Sequence, residues 1–251
     1  YSLGRFREAG EVYRYWLELQ PTSAVARHML AAMTNEAVPE RADDAYIKTL
    51  FDKFASDFDA NLAQLGYQAP QLLVASLGEF LPGDGRLEVL DAGCGTGLCG
   101  ELLRGWSRRL VGVDLSSGMI DKARERGVYD VLEVAELCAF MRQHEDAYDL
   151  IVAADTLVYF GALEEALAAA SLALRPRGLL AFTLERADDA LRHRLQPHGR
   201  YVHQRDYVEA AVAAAGLRLE CINEVVLRRE RGEDVQGMAV FARLQGDVDV
   251  G

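Results

Sequence analysis

The chain has 251 residues, half of them hydrophobic and 26% charged, which is typical of a globular protein with one large domain or one domain plus an appendage. Its 39 acidic residues outnumber its 27 lysines and arginines and give a formal charge of −12, which argues against nucleic acid as the main partner, because phosphate binding needs a cationic surface. No apolar run reaches the roughly 18 residues of a membrane span and no leader indicates secretion, so we expect a cytoplasmic protein with no membrane partner.

Residues 1–40 are predicted to form a helical segment that resembles part of a tetratricopeptide repeat. The matching residues are Leu3, Gly4, Phe6, Ala9, Tyr13, Trp16, Leu17 and Pro21. Trp16 stands where that pattern has a small residue, so a plain amphipathic hairpin is the alternative. A single repeat cannot bury its own apolar face. The helices therefore either pack on the rest of the chain or belong to a longer array that precedes Tyr1.

Residues 41–85 are predicted to form a helical cap ahead of a sheet. Aromatic side chains recur at helical spacing from Tyr46 to Phe58, and a second helix is predicted over residues 70–80, before a turn cluster at 81–85. The aromatic helix has two interpretations. It is either ordinary core or a cap over a bound ligand, with Tyr46 or Phe58 in contact with that ligand.

Residues 86–251 alternate between apolar strands and helices, which predicts an α/β domain with a mostly parallel sheet and helices on both faces. The seven predicted strands are 87–92, 110–114, 128–134, 150–154, 179–184, 217–227 and 238–244. The predicted helices are 98–104, 117–126, 136–143 and 162–174. The polar turn 229–234 joins the final two strands as a hairpin, so the last strand should be antiparallel to the others.

The first strand of this domain runs into a glycine loop and then a helix. Gly93, Gly95 and Gly97 permit positive φ angles and allow a ligand to approach the backbone closely. The helix that follows directs its free N–H groups toward such a ligand. Asp114 ends the next strand, where a carboxylate can accept hydrogen bonds from both hydroxyls of a ribose. A helix N-cap is the alternative role for Asp114.

Two cofactors could use this loop. Residues 95–100 match GxGxxG, the dinucleotide fingerprint, but the first glycine lies four residues beyond Asp91, whereas a pyrophosphate loop starts directly at the strand end. Asp91 would also place a negative charge close to a pyrophosphate. A carboxylate suits instead a cofactor with a cationic amine at that end, as S-adenosylmethionine has. The nicotinamide oxidoreductase interpretation is therefore the weaker one.

Four segments together resemble class I S-adenosylmethionine-dependent methyltransferases. They are Asp91-Ala92-Gly93-Cys94-Gly95-Thr96-Gly97, Gly112-Val113-Asp114-Leu115-Ser116, residues 149–155 and the turn 174–180. The whole chain is similar to a narrower group, bacterial predicted methyltransferases that carry tetratricopeptide repeats, through residues 46–59, 134–137, 199–203 and 226–229. This resemblance implies a Rossmann-like fold, S-adenosyl-L-methionine as cofactor and S-adenosyl-L-homocysteine as product.

The resemblance also implies the cofactor contacts. The methionine part would lie against the loop residues Gly93, Cys94, Gly95 and Gly97, with Asp91 near its amine and with Ala153 and Asp155 closing that end. Asp114 would hold the ribose, and Leu115 and Met119 would flank the adenine. Glu136, or Ala135 one position earlier, would face the adenine amino group. Asp155 has an alternative role as a residue of the substrate site.

The substrate side is predicted from an unusual stretch after the fifth strand. Residues 192–205 hold four arginines and three histidines with no acid among them, in a chain that is otherwise acidic. We interpret the stretch as a lid or wall for an anionic small molecule, with Arg200 as the anion clamp and His203 as the general base. Tyr159, just past the fourth strand, is a further candidate for the substrate pocket. The alternative is a solvated loop whose charges pair with nearby acids.

The leading hypothesis is an S-adenosylmethionine-dependent methyltransferase that methylates oxygen or nitrogen of a small, anionic metabolite. One alternative is a protein methyltransferase that recruits its target through the repeat helices. Another is a cofactor-binding scaffold without turnover. Cys94, Cys99, Cys138 and Cys221 share no metal-ligand or CxxC spacing, so we expect reduced thiols and no metal.

Overall fold

The computed structural model describes residues 5–188 and 191–246, so Leu3 and Gly4 of the repeat-like pattern lie outside the described residues. The chain begins with a helical hairpin of α1 (Phe6–Leu19) and α2 (Ala24–Thr34). The Ser23 side chain caps α2 by accepting a hydrogen bond from the Ala26 amide, a typical N-cap arrangement. Across the described residues, no helix has both the length and the apolar character that crossing a membrane requires.

The hairpin packs on the remainder of the chain. Ala31 and Ala32 of α2 form a small apolar cluster with Leu195 and Tyr201. The hydroxyl of Tyr201 also donates a 2.7 Å hydrogen bond to the carbonyl of Pro39, in the segment that follows α2. Of the two arrangements considered for residues 1–40, packing against the domain is therefore present in the structure.

The cap contains α3 (Asp44–Phe54), α4 (Phe58–Gln64) and α5 (Ala69–Ser76), followed by a 3₁₀ turn at Leu77–Glu79. Asp43 caps α3 through a 2.8 Å hydrogen bond from the Ala45 amide. The aromatic stretch predicted as one helix is thus divided between α3 and α4, with a break at residues 55–57. Tyr46 is buried in the interior, whereas Phe51 and Phe58 turn toward the sheet and meet edge to face, with ring centres 5.9 Å apart.

The sheet has nine strands in the described residues, two more than predicted. They are β1 (Leu87–Ala92), β2 (Ser107–Asp114), β3 (Val131–Val134), β4 (Tyr148–Ala153), β5 (Leu174–Arg186), β6 (His193–Leu195), β7 (Tyr201–His203), β8 (Leu217–Glu230) and β9 (Glu233–Leu244). Strands β3-β2-β1-β4-β5 are parallel, and β9 runs antiparallel to β5 and carries β8 at the edge. The predicted antiparallel last strand is confirmed. The two extra strands, β6 and β7, form a short hairpin within the stretch predicted as a lid, and β7 pairs in parallel with the last residues of β5.

Helices cover both faces of the sheet, as predicted. They are α6 (Leu98–Leu103), α7 (Ser117–Arg126), α8 (Leu137–Arg142), α9 (Glu164–Ala173) and α10 (Arg205–Ala214), the last of which was not predicted. One apolar core forms on the face that packs against α8, α9 and α10, and a second forms beneath α5 and α6. The carboxyl ends of β1, β2 and β4 lie side by side, which is where open α/β sheets bind ligands.

Candidate active site

A cavity lies between the carboxyl ends of the central strands and the cap helices. Its glycine-loop end is lined by Asp91, Gly93, Cys94, Gly95, Asp114, Leu115, Met119, Ala135 and Glu136. The cap contributes Ile47, Phe51, Phe58, Leu62 and Leu65. Its other end, which we call the arginine end, is lined by Tyr67, Asp155, Tyr159, Arg200, Arg228 and Glu230.

The glycine loop has the backbone that its sequence predicts. Gly93, Gly95 and Gly97 have φ angles of +76°, +54° and +91°, which side-chain-bearing residues rarely adopt. A Cβ on Gly93 would lie 2.4 Å from the Thr156 side chain, so this position has no room for one. Gly97 turns the chain into α6 and does not line the cavity, whereas Gly95 does.

Asp114 holds the loop in place and presents its carboxylate to the cavity. Its Oδ2 accepts a 2.9 Å hydrogen bond from the Gly95 amide, and its Oδ1 accepts a 2.8 Å bond from the Ser116 amide. Ser116, rather than Asp114, is the N-cap of α7. Each carboxylate oxygen keeps a further lone pair, so Asp114 can also accept two hydrogen bonds from a ligand. Burial raises the pKa of this carboxyl above its ordinary value.

Asp91 lies at the floor of the cavity and is 1% exposed. Tyr129 donates a 2.6 Å hydrogen bond to its Oδ2, and Oδ1 has no hydrogen-bond partner among residues 5–188 and 191–246. Burial raises the pKa of the Asp91 carboxyl to about 7. A cationic ligand group beside Oδ1 would compensate this unfavourable burial.

Glu136 lines the cavity, but its carboxylate is engaged in a helix cap. Its two oxygens accept hydrogen bonds from the amides of Cys138 and Ala139 at the start of α8, and Arg41 contacts Oε1 at 3.2 Å. These contacts fix the position of the carboxylate. Of the two predicted adenine neighbours, Ala135 lies beside it on the same cavity wall.

Two aspartates of the cap attach its helices to the loops that follow β1 and β2. Asp52 of α3 accepts a hydrogen bond from the Ser116 hydroxyl, at the start of α7. Asp59 of α4 accepts hydrogen bonds from the Thr96 hydroxyl, in the glycine loop, and from Arg126 of α7. The cap is therefore fastened over the glycine-loop end through polar contacts from α3 and α4.

The arginine end is built on a buried ion network. Arg228 of β8 is 2% exposed and contacts Asp155 at 3.1 Å, Glu230 at 2.7 Å, and Glu185. Arg200 contacts Glu185 through Nε at 2.6 Å and Glu230 through Nη2. Two arginines and three carboxylates thus pair with one another at a largely buried site. Leaving one of these charges unpaired there would lower the stability of the fold.

Three polar atoms at the arginine end remain open to the cavity. Nη1 of Arg200 and the hydroxyls of Tyr67 and Tyr159 have no hydrogen-bond partner in the described part of the chain. Burial raises the pKa of both phenols, that of Tyr159 to about 12, so both hydroxyls carry their protons near neutral pH. These atoms form a set of donors that a ligand can use.

Besides Gly97, two further predicted site residues lie away from the cavity. His203, predicted to be the general base, is fully buried, and its Nε2 donates to the carbonyl of Phe160 at 2.8 Å. Burial lowers the pKa of His203 to about 4, and the residue does not line the cavity, which corrects the prediction of a base at this position. Ala153, predicted to close the methionine end, belongs to the core on the other side of the sheet, and Ala154 faces the cavity instead.

The arginine-rich stretch is not a free positive surface. Arg192 pairs with Glu164 of α9, Arg205 pairs with Glu209 of α10, and Arg200 pairs with Glu185 and Glu230. The alternative interpretation, in which these charges pair with nearby acids, is therefore correct for these three arginines. Arg200 nevertheless lines the cavity, as predicted for an anion clamp.

The family match covers the strands and loops that form the floor of the cavity. A family model described as "Methyltransferase domain" matches residues 62–222, from the end of α4 to the middle of β8. The chain belongs to this methyltransferase family. The match spans the loops that carry Asp91, Asp114 and Asp155. It begins after α3, so the tetratricopeptide assignment of residues 1–40 remains a prediction.

Curated relatives of this methyltransferase match parts of the domain. Human "Methyltransferase-like protein 27" is 40% identical over 35% of this chain and 36% of its own length. A malonyl-(acyl-carrier protein) O-methyltransferase of Acetivibrio thermocellus is 30% identical over 56% of this chain and 50% of its own. A trans-aconitate 2-methyltransferase of Paracidovorax citrulli is 36% identical over 38% of each chain. The methyltransferase thus spans half or less of the length of these relatives.

Solved structures share the fold at low sequence identity. The 1,6-didemethyltoxoflavin-N1-methyltransferase of Burkholderia thailandensis superposes with a TM-score of 0.61 at 20% identity, covering 83% of this chain and 92% of its own. The magnesium protoporphyrin IX methyltransferase of Synechocystis PCC 6803 gives 0.58 at 18% identity, covering 81% and 100%. These likenesses show the Rossmann-like methyltransferase fold. Both of those structures contain S-adenosylhomocysteine.

Several cavity residues were not predicted from the sequence. They are Arg41, Tyr67, Thr156, Arg228 and Glu230. Arg228 and Glu230 come from the far end of the long strand β8, which the prediction ended at residue 227. A fully buried arginine is rare unless it is paired, but the burial of Arg228 is apparent only from the structure.

Proposed function

We propose that this methyltransferase uses S-adenosylmethionine to methylate a carboxylate oxygen of a small acidic metabolite. The observation that supports this acceptor class is the set of open donors at the arginine end, Arg200 Nη1 and the hydroxyls of Tyr67 and Tyr159. A guanidinium and two phenols recognise a carboxylate through charge-assisted hydrogen bonds. Nitrogen is the alternative acceptor, and a protonated amine would need a base to remove its proton.

The glycine-loop end fits the cofactor. Asp91 is 1% exposed, and its Oδ1, which has no hydrogen-bond partner within the described residues, suits a cationic amine; the two Asp114 oxygens suit the ribose hydroxyls. Leu115 and Met119 provide apolar walls for an adenine. When bound, S-adenosylmethionine supplies a methyl group that is already activated by its sulfonium.

The protein's part in the reaction is then to orient the acceptor and exclude water. A carboxylate is deprotonated at neutral pH and needs no general base. This agrees with the cavity, whose lining includes no histidine within the residues that the structure describes. Arg228 pairs with the carboxylates of both Asp155 and Glu230, which weakens their repulsion of an anionic acceptor without cancelling it.

The names of two relatives support an acidic acceptor. Malonyl-(acyl-carrier protein) O-methyltransferase and trans-aconitate 2-methyltransferase both carry names of carboxylic acids or their derivatives. Because the chain spans at most half of their length, their substrates serve here as members of a test panel. They are not assigned to this protein.

A second candidate is a methyltransferase whose acceptor is part of, or carried by, a protein that docks on the helical hairpin. The outer face of α1 exposes Val12, Tyr15 and Leu19 at helical spacing, each more than half exposed. Such a stripe favours a protein contact. Comparing free acids with the same acids attached to a carrier protein separates this candidate from the first.

The experiment that tests the proposed function incubates the protein with radiolabelled S-adenosylmethionine and a panel of mono-, di- and tricarboxylates. A methyl ester releases volatile methanol on alkaline hydrolysis, whereas an N- or C-methyl product keeps its label. We expect base-labile product that falls at least tenfold in Arg200→Gln and severalfold in Tyr67→Phe and Tyr159→Phe. Arg229→Gln is the matched control, because Arg229 is exposed and pairs with Asp234. Label that resists base would exclude carboxylate methylation.

A further inference from the structure

The turn between β6 and β7 presents Arg200 to the cavity. The Gln196 amide donates to the Arg200 carbonyl and the Gly199 amide donates to the Gln196 carbonyl, both at 2.8 Å. Gly199 has a φ angle of +88°, so the turn depends on a conformation that favours glycine. The position of the Arg200 backbone therefore depends on the contacts that this turn makes with neighbouring elements.

His28 of the N-terminal hairpin supports the turn directly. Its Nε2 donates a 2.9 Å hydrogen bond to the carbonyl of Gly199, the residue that precedes Arg200. His28 is 3% exposed, and its Nδ1 is buried without a hydrogen-bond partner in residues 5–188 and 191–246. Since a carbonyl only accepts hydrogen bonds, Nε2 carries the proton and donates it to the Gly199 carbonyl.

Tyr46 of the cap completes the support. Its ring stacks on the His28 ring with centres 3.9 Å apart and an interplanar angle of 19°. A Cβ on Gly199 would lie 2.7 Å from the Tyr46 hydroxyl and 3.3 Å from the Met29 sulfur. The turn therefore sits directly against α2 and α3, with no space between them.

We propose that His28 is a positioning residue of the acceptor site and that it acts through Gly199 on Arg200. The ion pairs with Glu185 and Glu230 hold the Arg200 guanidinium from inside, and the His28 bond holds the backbone from outside. Together they leave Nη1 directed at the cavity. The N-terminal helical hairpin thus helps to position a residue that binds the acceptor. This inference rests on the proposed function only in that Arg200 meets the acceptor's carboxylate.

The first test measures the NMR signal of the Arg200 side chain in protein without acceptor. In the ¹H–¹⁵N spectrum the Arg200 Nε–H signal is assigned by its loss in Arg200→Gln. We expect His28→Leu to shift or broaden this signal and His28→Gln, whose amide reaches the Nε2 position, to leave it near its original place. His144→Leu is the matched control, because His144 makes the same kind of bond to the Phe140 carbonyl on α8. An unchanged Arg200 signal in His28→Leu would overturn the proposal.

The second test measures binding of malonate, a simple dicarboxylate, to protein saturated with S-adenosylhomocysteine. We expect His28→Leu to weaken malonate binding about threefold to tenfold, the range for one lost hydrogen bond, with the affinity for S-adenosylhomocysteine unchanged. In the Arg200→Gln background the same change should add nothing, because both act on one contact. Additive losses would show that His28 does not act through Arg200.

The two tests separate this inference from the proposed function. If malonate does not bind the original protein while the Arg200 signal still responds to His28, carboxylate recognition is wrong and the structural support is right. If His28→Leu does not fold, His28→Asn replaces it, because the shorter amide does not reach the Gly199 carbonyl. The comparison between His28→Asn and His28→Gln then decides the positioning role.

Discussion

Tyr129 and Asp91 share a 2.6 Å hydrogen bond at the floor of the cavity, where the phenol donates to Oδ2 and leaves Oδ1 facing the ligand space. Burial raises the pKa of Asp91 to about 7. A cationic amine beside it favours the carboxylate and lowers that pKa again. Cofactor binding is therefore expected to release a proton from Asp91 near neutral pH.

This relationship predicts a pH-dependent affinity for S-adenosylhomocysteine. Below pH 7 the ligand must displace the Asp91 proton, so the dissociation constant should rise toward acid by up to about tenfold per pH unit. Calorimetric titrations between pH 5 and 7.5 measure this slope. Asp91→Asn should bind weakly with a flat profile, and Tyr129→Phe should move the midpoint upward because a bond that favours the carboxylate is lost. A wild-type profile as flat as that of Asp91→Asn would contradict the assignment.

The raised pKa of Asp91 also makes the stability of the cofactor-free protein depend on pH. The folded state binds the Asp91 proton more tightly than the unfolded state, whose pKa is near 3.8. The stabilising contribution of protonated Asp91 is thus fully present below about pH 4 and is lost as the pH rises toward 7. The free energy of unfolding should fall less across this range in Asp91→Asn, as measured by urea denaturation at several pH values.

The glycine-loop end was predictable because its chemistry is local in sequence. Gly93 and Gly95 lie within three residues of the end of β1 and Asp114 ends β2, and parallel neighbours bring strand ends together without further information. The alternation of strands and helices likewise predicted the order of layers. The extra hairpin β6–β7 was missed, because three-residue strands carry too little periodicity to be recognised.

The arginine end was not predictable, because its partners come from distant elements. Glu185 lies next to the last residue of β5, Glu230 ends β8 and Arg200 follows a turn, and only the paired sheet brings them together. Arg228 points inward after a register shift between Val226 and Arg228 in the β8–β9 ladder, which breaks the simple alternation of faces. His203 was mistaken for a base because its burial depends on the pairing of β7 with β5.

Asp114→Asn tests the ribose contact. The amide would place an N–H₂ group against the N–H of Gly95 or Ser116, so one loop contact is lost along with an acceptor for the ribose. We expect the dissociation constant of S-adenosylhomocysteine to rise at least thirtyfold, or about 2 kcal/mol, by titration calorimetry. Asp121→Asn, an exposed change on α7, is the control, and equal affinities of the two variants would refute the role of Asp114.

Asp59→Ala tests the attachment of the cap. It removes the hydrogen bonds from the Thr96 hydroxyl and Arg126, which fasten α4 over the glycine loop. We expect faster dissociation of S-adenosylhomocysteine, by about threefold to tenfold, because the cap opens more readily. Stopped-flow fluorescence with a displaced ligand measures this rate. Asp57→Ala is the matched control, because the Asp57 side chain makes no capping bond at the start of α4. Identical dissociation rates for both variants would show that Asp59 does not hold the cap.

Arg228→Met tests the buried ion network. The change keeps an apolar stem of similar length but leaves Asp155, Glu185 and Glu230 with one cation fewer in a site where Arg228 was 2% exposed. Removing one partner of a buried ionic group costs about 3–5 kcal/mol, so urea denaturation should show a loss of this size at pH 7.5. Arg229→Met, on the exposed side of the same strand, should cost less than about 1 kcal/mol. The loss in Arg228→Met should shrink when Asp155→Asn is added, because one unpaired carboxylate is then removed. An undiminished loss in the double variant would mean that packing of the arginine stem, rather than charge balance, stabilises this end of the cavity.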